Sequence, residues 1–291
     1  GAGMMDCKKA LEETHGDIDA AIDWLRTKGL ATAAKKSGRT ASEGLVAINV
    51  AGTSGAMIEL NAETDFVSRN DDFQSLALNL AKLANDAADV ASLKGLTFPN
   101  TQRTVAEEIT HNIATIGENM MLRRMKNIKI DKGRVVSYIH NATADGMGRI
   151  GVLVALESNA NVEILESLGK KIAMHVAATK PASLSIESLD PAMVQRERDV
   201  LIEQAKETGK PQEIAEKMVE GRLRKYYQEV VLLEQTFVID GESKVAEVIK
   251  KVASDCGTEI KLKEFSLFVL GDGVEKEEIN FAAEVAAQLN K

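Results

Sequence analysis

A carboxylate and a large aromatic side chain stand together at Asp65-Phe66, inside the stretch Asn61 to Phe73, N-A-E-T-D-F-V-S-R-N-D-D-F. Neither group is well placed for burial. The apolar run before them, residues 56–60, has the pattern of a strand, and Phe73, Leu76, Leu80 and Leu83 after them fit one face of a helix. Thr64-Asp65-Phe66-Val67 therefore falls on or beside a connection, where binding residues concentrate. A purely local role is the competing expectation. Thr64 or Asp65 can cap a short helix, Ser68 with Asp71 can form a capping-box-like pair, and Phe66 with Val67 can belong to the core.

Bond-breaking chemistry is not visible elsewhere. His15, His111, His140 and His175 have no second histidine or cysteine at metal-ligand spacing, and neither a Gly-x-Ser-x-Gly nor a phosphate-binding glycine motif occurs. The acidic pairs Asp71-Asp72 and Glu107-Glu108 lie at a helix start or on a polar face, so they are expected to be solvated. His175 sits in the mostly apolar K-I-A-M-H-V-A-A of residues 171–178, where a lone histidine is usually a core residue with one satisfied nitrogen. No enzyme activity, metal site or cofactor is expected.

Composition narrows the class further. The chain has 291 residues, 44% of them hydrophobic but only 4% aromatic, so Ala, Leu, Val and Ile must do most of the packing in one to three globular units. A net charge of -8 disfavours a broad nucleic-acid-binding surface, because phosphate contacts need clustered Lys and Arg. Cys7 and Cys256 are too far apart in sequence to suggest a disulfide scaffold, which fits a reducing compartment. No apolar stretch approaches the roughly 20 residues of a membrane span, and the first residues lack signal-peptide features. A soluble cytoplasmic protein is expected.

The elements that must position Asp65 and Phe66 follow from periodicity. Two short helices are expected at 4–13 and 18–27, then a small, polar, basic linker over 31–43. Strands at 45–50 and 56–60 are joined across Gly52-Thr53-Ser54-Gly55, and helices follow at 71–89 and 105–113. A second unit repeats this order, with strands at 135–139 and 150–156 around a turn-rich 141–148, then a helix at 162–178. Residues 193–233 interrupt it with two helical patterns on either side of Thr208-Gly209-Lys210-Pro211, an antiparallel hairpin. In its second arm Ala215, Val219, Leu223, Tyr226, Val230 and Leu233 keep the spacing of a coiled-coil seam. Strands at 236–239 and 260–270, a helix at 244–254 and a tail helix at 281–289 complete an α+β chain.

Thr64-Asp65-Phe66-Val67 is similar to the T-D-F-V signature of bacterial translation elongation factor Ts, the nucleotide-exchange factor of elongation factor Tu. G-A-G-M-M-D-C-K-K-A-L at 1–11 resembles that family's amino-terminal signature, and Ile116-Gly117-Glu118-Asn119-Met120 with Arg123-Arg124 resembles a second, internal one. Residues 173–178, the arm from Gly209-Lys210-Pro211 to Arg222, and the tail 281–286 follow in family order. The resemblance thus runs along nearly the whole chain. Departures are small: Ala62 and Ser68 replace residues often Cys and Ala beside the signature, and Asn280 stands where the tail usually carries Asp.

The resemblance implies a ubiquitin-associated-like helical module at 1–30, whose first helix would precede Gly1, and core subdomains at 44–132 and at 133–190 with 234–270. It further implies an inserted coiled-coil hairpin at 191–233 and a C-terminal module at 271–291. The implied partner is elongation factor Tu, GDP-bound or nucleotide-free, with a pairing of two Tu–Ts heterodimers as a further assembly. Contact with nucleic acid or membrane is not implied. Thr64, Asp65, Phe66 and Val67 would contact Tu, with Asp65 and Phe66 entering its G domain near the magnesium site and the ring wedging helices apart. Met4, Met5 and Lys8, with the tail around Phe281, would meet the same domain; Ile150, Gly151, His175 and Val238 would meet another part of Tu. The rival class is a chaperone-like or structural adaptor that works through the hairpin and binds several clients irrespective of nucleotide.

Overall fold

The computed structural model describes residues 4–207, 209 and 211–274. Helices α1 (Met4–Glu13) and α2 (Ile18–Lys36) lead into a hairpin of β1 (Glu43–Ala51) and β2 (Ser54–Ala62). After it come α3 (Asp71–Leu83), α4 (Val90–Gly95), α5 (Val105–Ile116) and β3 (Met120–Lys129). The second half has β4 (Arg134–Ala144), β5 (Met147–Ser158), α6 (Val162–Thr179), α7 (Pro191–Glu207), α8 (Gln212–Val230), α9 (Val245–Cys256) and β6 (Ile260–Val269). The chain is thus mixed α+β, as its pattern implied. Among the described residues no helix is long and apolar enough to cross a membrane.

Among the described residues all pairings between the named strands are antiparallel, in the order β3-β2-β1-β5-β4, with β6 also on β5. Side chains alternate across a strand, so each strand feeds two cores. Leu45 and Ala47 of β1 face α3 and α5 with Phe73, Leu76, Leu80, Ile109 and Ile113. Val152, Val154 and Leu156 of β5 face α6 and α9 with Leu165, Ile172, Val176 and Ile249. The intervening residues, Val46, Ile48 and Met57 from the first half and Leu153, Ala155 and Phe268 from the second, meet in a third cluster between the halves. Close approach there explains Gly151, where an added Cβ would lie 2.6 Å from Val46 and 2.7 Å from Met57.

The halves are built alike in detail. Gly44 opens the first hairpin at φ +115, and Gly133 opens the second at φ +109. A Cβ would lie 2.2 Å from the Leu60 carbonyl oxygen at the one and 2.0 Å from that of Leu156 at the other. The β2–β3 register shifts between Glu59 and Leu60, and the β5–β6 register shifts between Ala155 and Leu156. Phe98 N–H donates to the Arg103 carbonyl and Val105 N–H to that of Leu96; Phe237 and Val245 repeat this with Ser243 and Gln235. The carboxylates of Glu107 and Glu247 then accept from the N–H of Thr104 and Lys244, each satisfying an orphan donor at its helix start.

Several boundaries differ from those expected. Residues 31–36, assigned to the linker, are the last turns of α2, because Ala33 is buried and the Lys36 ammonium donates to the Gly117 carbonyl. The helix expected over 71–89 ends at Leu83, followed by a 3-10 turn and a new helix, α4, capped by Asp89. Residues 141–144 belong to β4, and the hairpin turns only around Gly146, φ +69. Residues 236–239 form a single bridge, Thr236 to Lys244, before the chain reverses at Gly241. Strand β3 was not expected, since its charged residues and its extra residue at the bulge hide the alternation.

Arms α7 and α8 pack through Leu201, Ala205, Val219 and Leu223, with Ala215 and Tyr227 at the edge. Arg222 bonds Gln204 at 2.6 Å and Tyr226 lies near Glu197, so the arms run in opposite directions. The expected seam stops near Tyr227. Leu233 belongs instead to a 3-10 turn, Leu232–Glu234, packed on the second core. The segment expected to form the tail helix, with Phe281, lies outside the described residues.

Candidate functional site

Between β2 and α3 the first half inserts Glu63 to Arg69, where the second half has only Asn159-Ala160 before the capping Asn161 of α6. The inserted segment carries the Asp65-Phe66 pair. The shared architecture closes without it, so its sequence is free to serve another purpose.

The loop is held rigidly from both sides. Thr64 donates its N–H and its hydroxyl to the two oxygens of the Glu118 carboxylate, at 2.9 and 2.7 Å. Beside this clamp the Asn119 N–H donates to Glu63 at 2.6 Å, and the Asn119 amide donates to the Arg39 carbonyl at 2.7 Å. Gly117, at φ +87, turns the chain so that Glu118 and Asn119 face the loop. On the far side Val67 is buried in the first core, the Ser68 hydroxyl donates to the Asp65 carbonyl, and Gln74 donates to the Ser68 carbonyl. Asn70 caps α3 by accepting from the Phe73 N–H.

The capping alternatives are thereby excluded. Thr64 is bound to Glu118, Asp65 makes no side-chain cap bond, and Asn70 performs the role that Ser68 and Asp71 could have taken. Val67 belongs to the core, but the Phe66 side chain, one residue earlier in a 3-10 turn Phe66–Arg69, stands 80% exposed. Asp65 is exposed beside it, on the rim of a polar basin shared with Asn141, Thr143 and Arg149 of the second half. A clamped loop that projects an uncovered ring spends no ordering entropy on docking, which favours binding.

Glu118→Gln tests the clamp. One acceptor oxygen becomes an amide donor facing one of the two Thr64 donors, a loss of about 1 to 2 kcal/mol in loop order. Affinity for the partner should fall roughly 5- to 30-fold with little change in melting temperature. Hydrogen exchange at the amides of 64–69 should accelerate in parallel; unaltered exchange there would remove the clamp from the explanation.

Met4 and Met5, 87% and 74% exposed, project from α1, and Lys8 pairs with Glu12 at 3.7 Å on the same helix. Helix α2 fixes this end to α5 through the Arg26–Glu107 pair at 3.1 Å and the contact of Gly29 with Ala114. The remaining expected residues lie in the second half. Ile150 packs at the edge of its core, Gly151 is buried between the halves, and Val238 is 47% exposed in a turn with Ile239, 48% exposed. Beside Ile239 a cleft of about 780 Å³ opens between α6 and α9.

His175 is fully buried and touches no solvent. Its Nδ1 accepts from the Val238 N–H at 3.2 Å, so Nε2 carries the proton and donates to the Gln235 side-chain oxygen at 2.9 Å. That oxygen also accepts from Thr179, and the Gln235 amide donates to the Glu229 carbonyl. The ring thus positions Val238 and Ile239 from beneath. Burial pushes the imidazole below its usual 6.5, the hydrogen bond to Gln235 opposing only in part.

A pH dependence follows. Unfolded, His175 takes up a proton as pH falls through about 6.5, whereas the folded ring stays neutral to lower pH. Its contribution to stability is therefore complete above that value and is lost on acidification. The limiting slope is about 1.4 kcal/mol per pH unit. His111 shifts the same way through burial and Arg103, so His175→Gln is the needed comparison. Denaturant unfolding between pH 7 and 5 should show a shallower loss in His175→Gln than in the unmodified chain; parallel curves would mean that His175 does not titrate in this window.

Among the described residues no cluster of His, Cys, Asp and Glu could hold a metal ion. Sequence reasoning missed the Glu118 clamp as a function of that residue, Ile239 beside Val238, and the supporting role of Gln235. One signal was available: Thr97-Phe98 with Thr104-Val105-Ala106-Glu107 recurs as Thr236-Phe237 with Lys244-Val245-Ala246-Glu247. Matching β2 and α3 to β5 and α6 then isolates Glu63 to Arg69 as the insertion.

The family model described as Elongation factor TS matches residues 63–272. Elongation factor Ts of Rhodospirillum rubrum is 59% identical, the match covering 100% of this chain and 95% of that one. Those of Paramagnetospirillum magneticum and Rickettsia bellii are 57% and 54% identical, each match covering 99% of this chain and 93% of the relative.

Proposed function

The chain belongs to the elongation factor Ts family, and from that premise we propose that it drives nucleotide exchange on elongation factor Tu through two surfaces of one rigid body. The family's role in translation elongation is exchange of the guanine nucleotide on Tu, and this chain carries it. The single observation that carries the assignment of the site is the 80% exposed Phe66 on a loop bound at both ends.

Exchange breaks no bond. GDP leaves Tu when a partner favours a conformation in which its phosphate and magnesium contacts are weak, and GDP in turn weakens the partner. Phe66 inserts into the G domain of Tu beside the magnesium site, gaining roughly 1.5 to 3 kcal/mol as its ring leaves water. Asp65, carrying its charge to the same place, competes for local polar contacts. Met4, Met5 and Lys8 extend this surface along α1. Ile150 and Val238, the latter seated on buried His175, take hold of another part of Tu. Gly151 contributes by letting the halves approach rather than by touching the partner.

Stopped-flow release of a fluorescent GDP from elongation factor Tu, with and without this protein, tests the assignment. Strong acceleration is expected, with tightest binding to nucleotide-free Tu. Equal binding to Tu in every nucleotide state, without acceleration, would instead support an adaptor working through α7 and α8.

A further inference from the structure

Glu59 is fully buried, yet it is charged and sits on the central strand β2. It accepts from Arg123 Nη1 at 3.1 and 3.3 Å and from Arg124 Nε at 2.5 Å. Consecutive residues of a strand normally point to opposite faces. Here Glu59 pairs with Arg124 and Leu60 with Leu122, so Arg123 is the extra residue of a bulge, which lets both guanidinium groups reach one carboxylate.

The same cluster holds the other half. The Gly271 N–H donates to Glu59 at 2.9 Å, Arg124 donates to the Val269 carbonyl at 2.8 Å, and Arg123 donates to the Asp272 carbonyl. The Arg124 guanidinium also covers the Phe268 ring at 4.3 Å. Four residues at or just past the end of β6, Phe268, Val269, Gly271 and Asp272, are thereby tied to β2 and β3. The fold does not need a charge there to make the bulge, because at the equivalent place in the second half the bulge forms around Ala155, itself buried. A buried ion cluster is a poor source of stability and a good source of fixed geometry.

We propose that Glu59, Arg123 and Arg124 are positioning residues for exchange: they lock the end of β6 to the first half and so fix the separation between the Phe66 loop and the Val238 turn. This rests on those two surfaces being the grip on Tu. A grip that works by leverage needs a stiff span; with the lock loosened each surface still docks, but the strain passes into this protein instead of into Tu.

Glu59→Gln in the full chain tests this, with the Arg groups left to hydrate at their exposed edges. Three quantities are read: thermal unfolding, the maximal rate and half-saturating concentration for GDP release from Tu, and a pulsed-EPR distance distribution. For the last, spin labels are placed at Arg69→Cys and Glu242→Cys in a chain carrying Cys7→Ser and Cys256→Ser. The expected result is a cooperatively folded variant with a broadened distribution, a maximal rate lower by about tenfold, and half-saturation changed by less than about threefold. A narrow distribution, or an unchanged maximal rate, in the folded variant overturns the proposal. If Glu59→Gln does not fold, Arg123→Lys replaces it, keeping the charge while losing the fork that reaches Asp272, and the same split between rate and half-saturation decides. Failure of the unmodified chain to release GDP would instead remove the exchange reading, and the distance distribution would still report whether the cluster sets the span.

Discussion

Phe66→Ala should reduce acceleration of GDP release by roughly 30- to 1000-fold in apparent affinity while leaving the melting temperature unchanged. The magnitude is that of a buried interface aromatic, about 2 to 4 kcal/mol on truncation. The constancy of stability follows from exposure: a ring 80% open to water makes few contacts to lose, whereas Val67 next to it is core. The two residues therefore separate binding from folding. Val67→Ala should lower stability by about 1 to 2 kcal/mol and affect exchange only through the loop. Stopped-flow titration together with calorimetry on both variants checks this, and a Phe66→Ala chain that melts early would assign the ring to the fold instead.

Gly44→Ala and Gly133→Ala should each cost about 2 to 4 kcal/mol of stability, the largest effects expected from adding one methyl group to this chain. Two causes combine at both positions. The backbone lies at φ +115 or +109, where an L side chain is strained, and the new Cβ would meet a carbonyl oxygen on the neighbouring strand at 2.2 or 2.0 Å. Neither obstacle is the end of a flexible side chain, so the strands themselves must separate. Gly95→Ala is the contrast, since nothing lies within 4 Å of its added Cβ and no positive φ applies. It should be neutral or stabilising by less than about 1 kcal/mol. Urea unfolding of the three variants gives the comparison; similar midpoints for all three would show that the hairpin openings relax more readily than their geometry implies.

The equivalence of Gly44 and Gly133 also marks what divides the halves. Where they agree, the chain builds a hairpin, a helix on its outer face, a capped second helix and a third strand. Where they differ, it has gained the Phe66 loop in one half and the α7–α8 arms in the other. The cluster at Glu59 belongs with the differences, since Ala155 takes its place in the other half.

The amino-acid order alone determined the elements with strong periodicity. Helices at Phe73, Leu76 and Leu80 or at Leu165, Leu168 and Ile172, and strands at Leu45 to Ile48, keep their apolar faces because burial of those side chains is the dominant favourable term, and a face can be read without its partner. The motif Thr64 to Val67 was legible through its similarity to the family's T-D-F-V signature, since by spacing alone helix capping and core packing stayed open. Element ends were less legible. Residues 31–36 stay helical only because Ala33 and Lys36 find α5 and the turn after it, a contact between groups distant in sequence.

Only the tertiary structure decided which of two adjacent apolar residues would be buried. Phe66 and Val67 are equally hydrophobic in the sequence, and the Glu118 clamp, 54 residues from Thr64, sets the rotation that sends one inward and the other to water. It likewise decided that His175 is buried, with its Nδ1 accepting from the Val238 N–H. Strand β3 was hidden because a bulge places two consecutive arginines on one side, erasing the alternation by which strands are recognised. Short-range order follows from covalent neighbours and periodicity. Exposure is set by what folds back over a residue, and that is fixed only when distant segments meet.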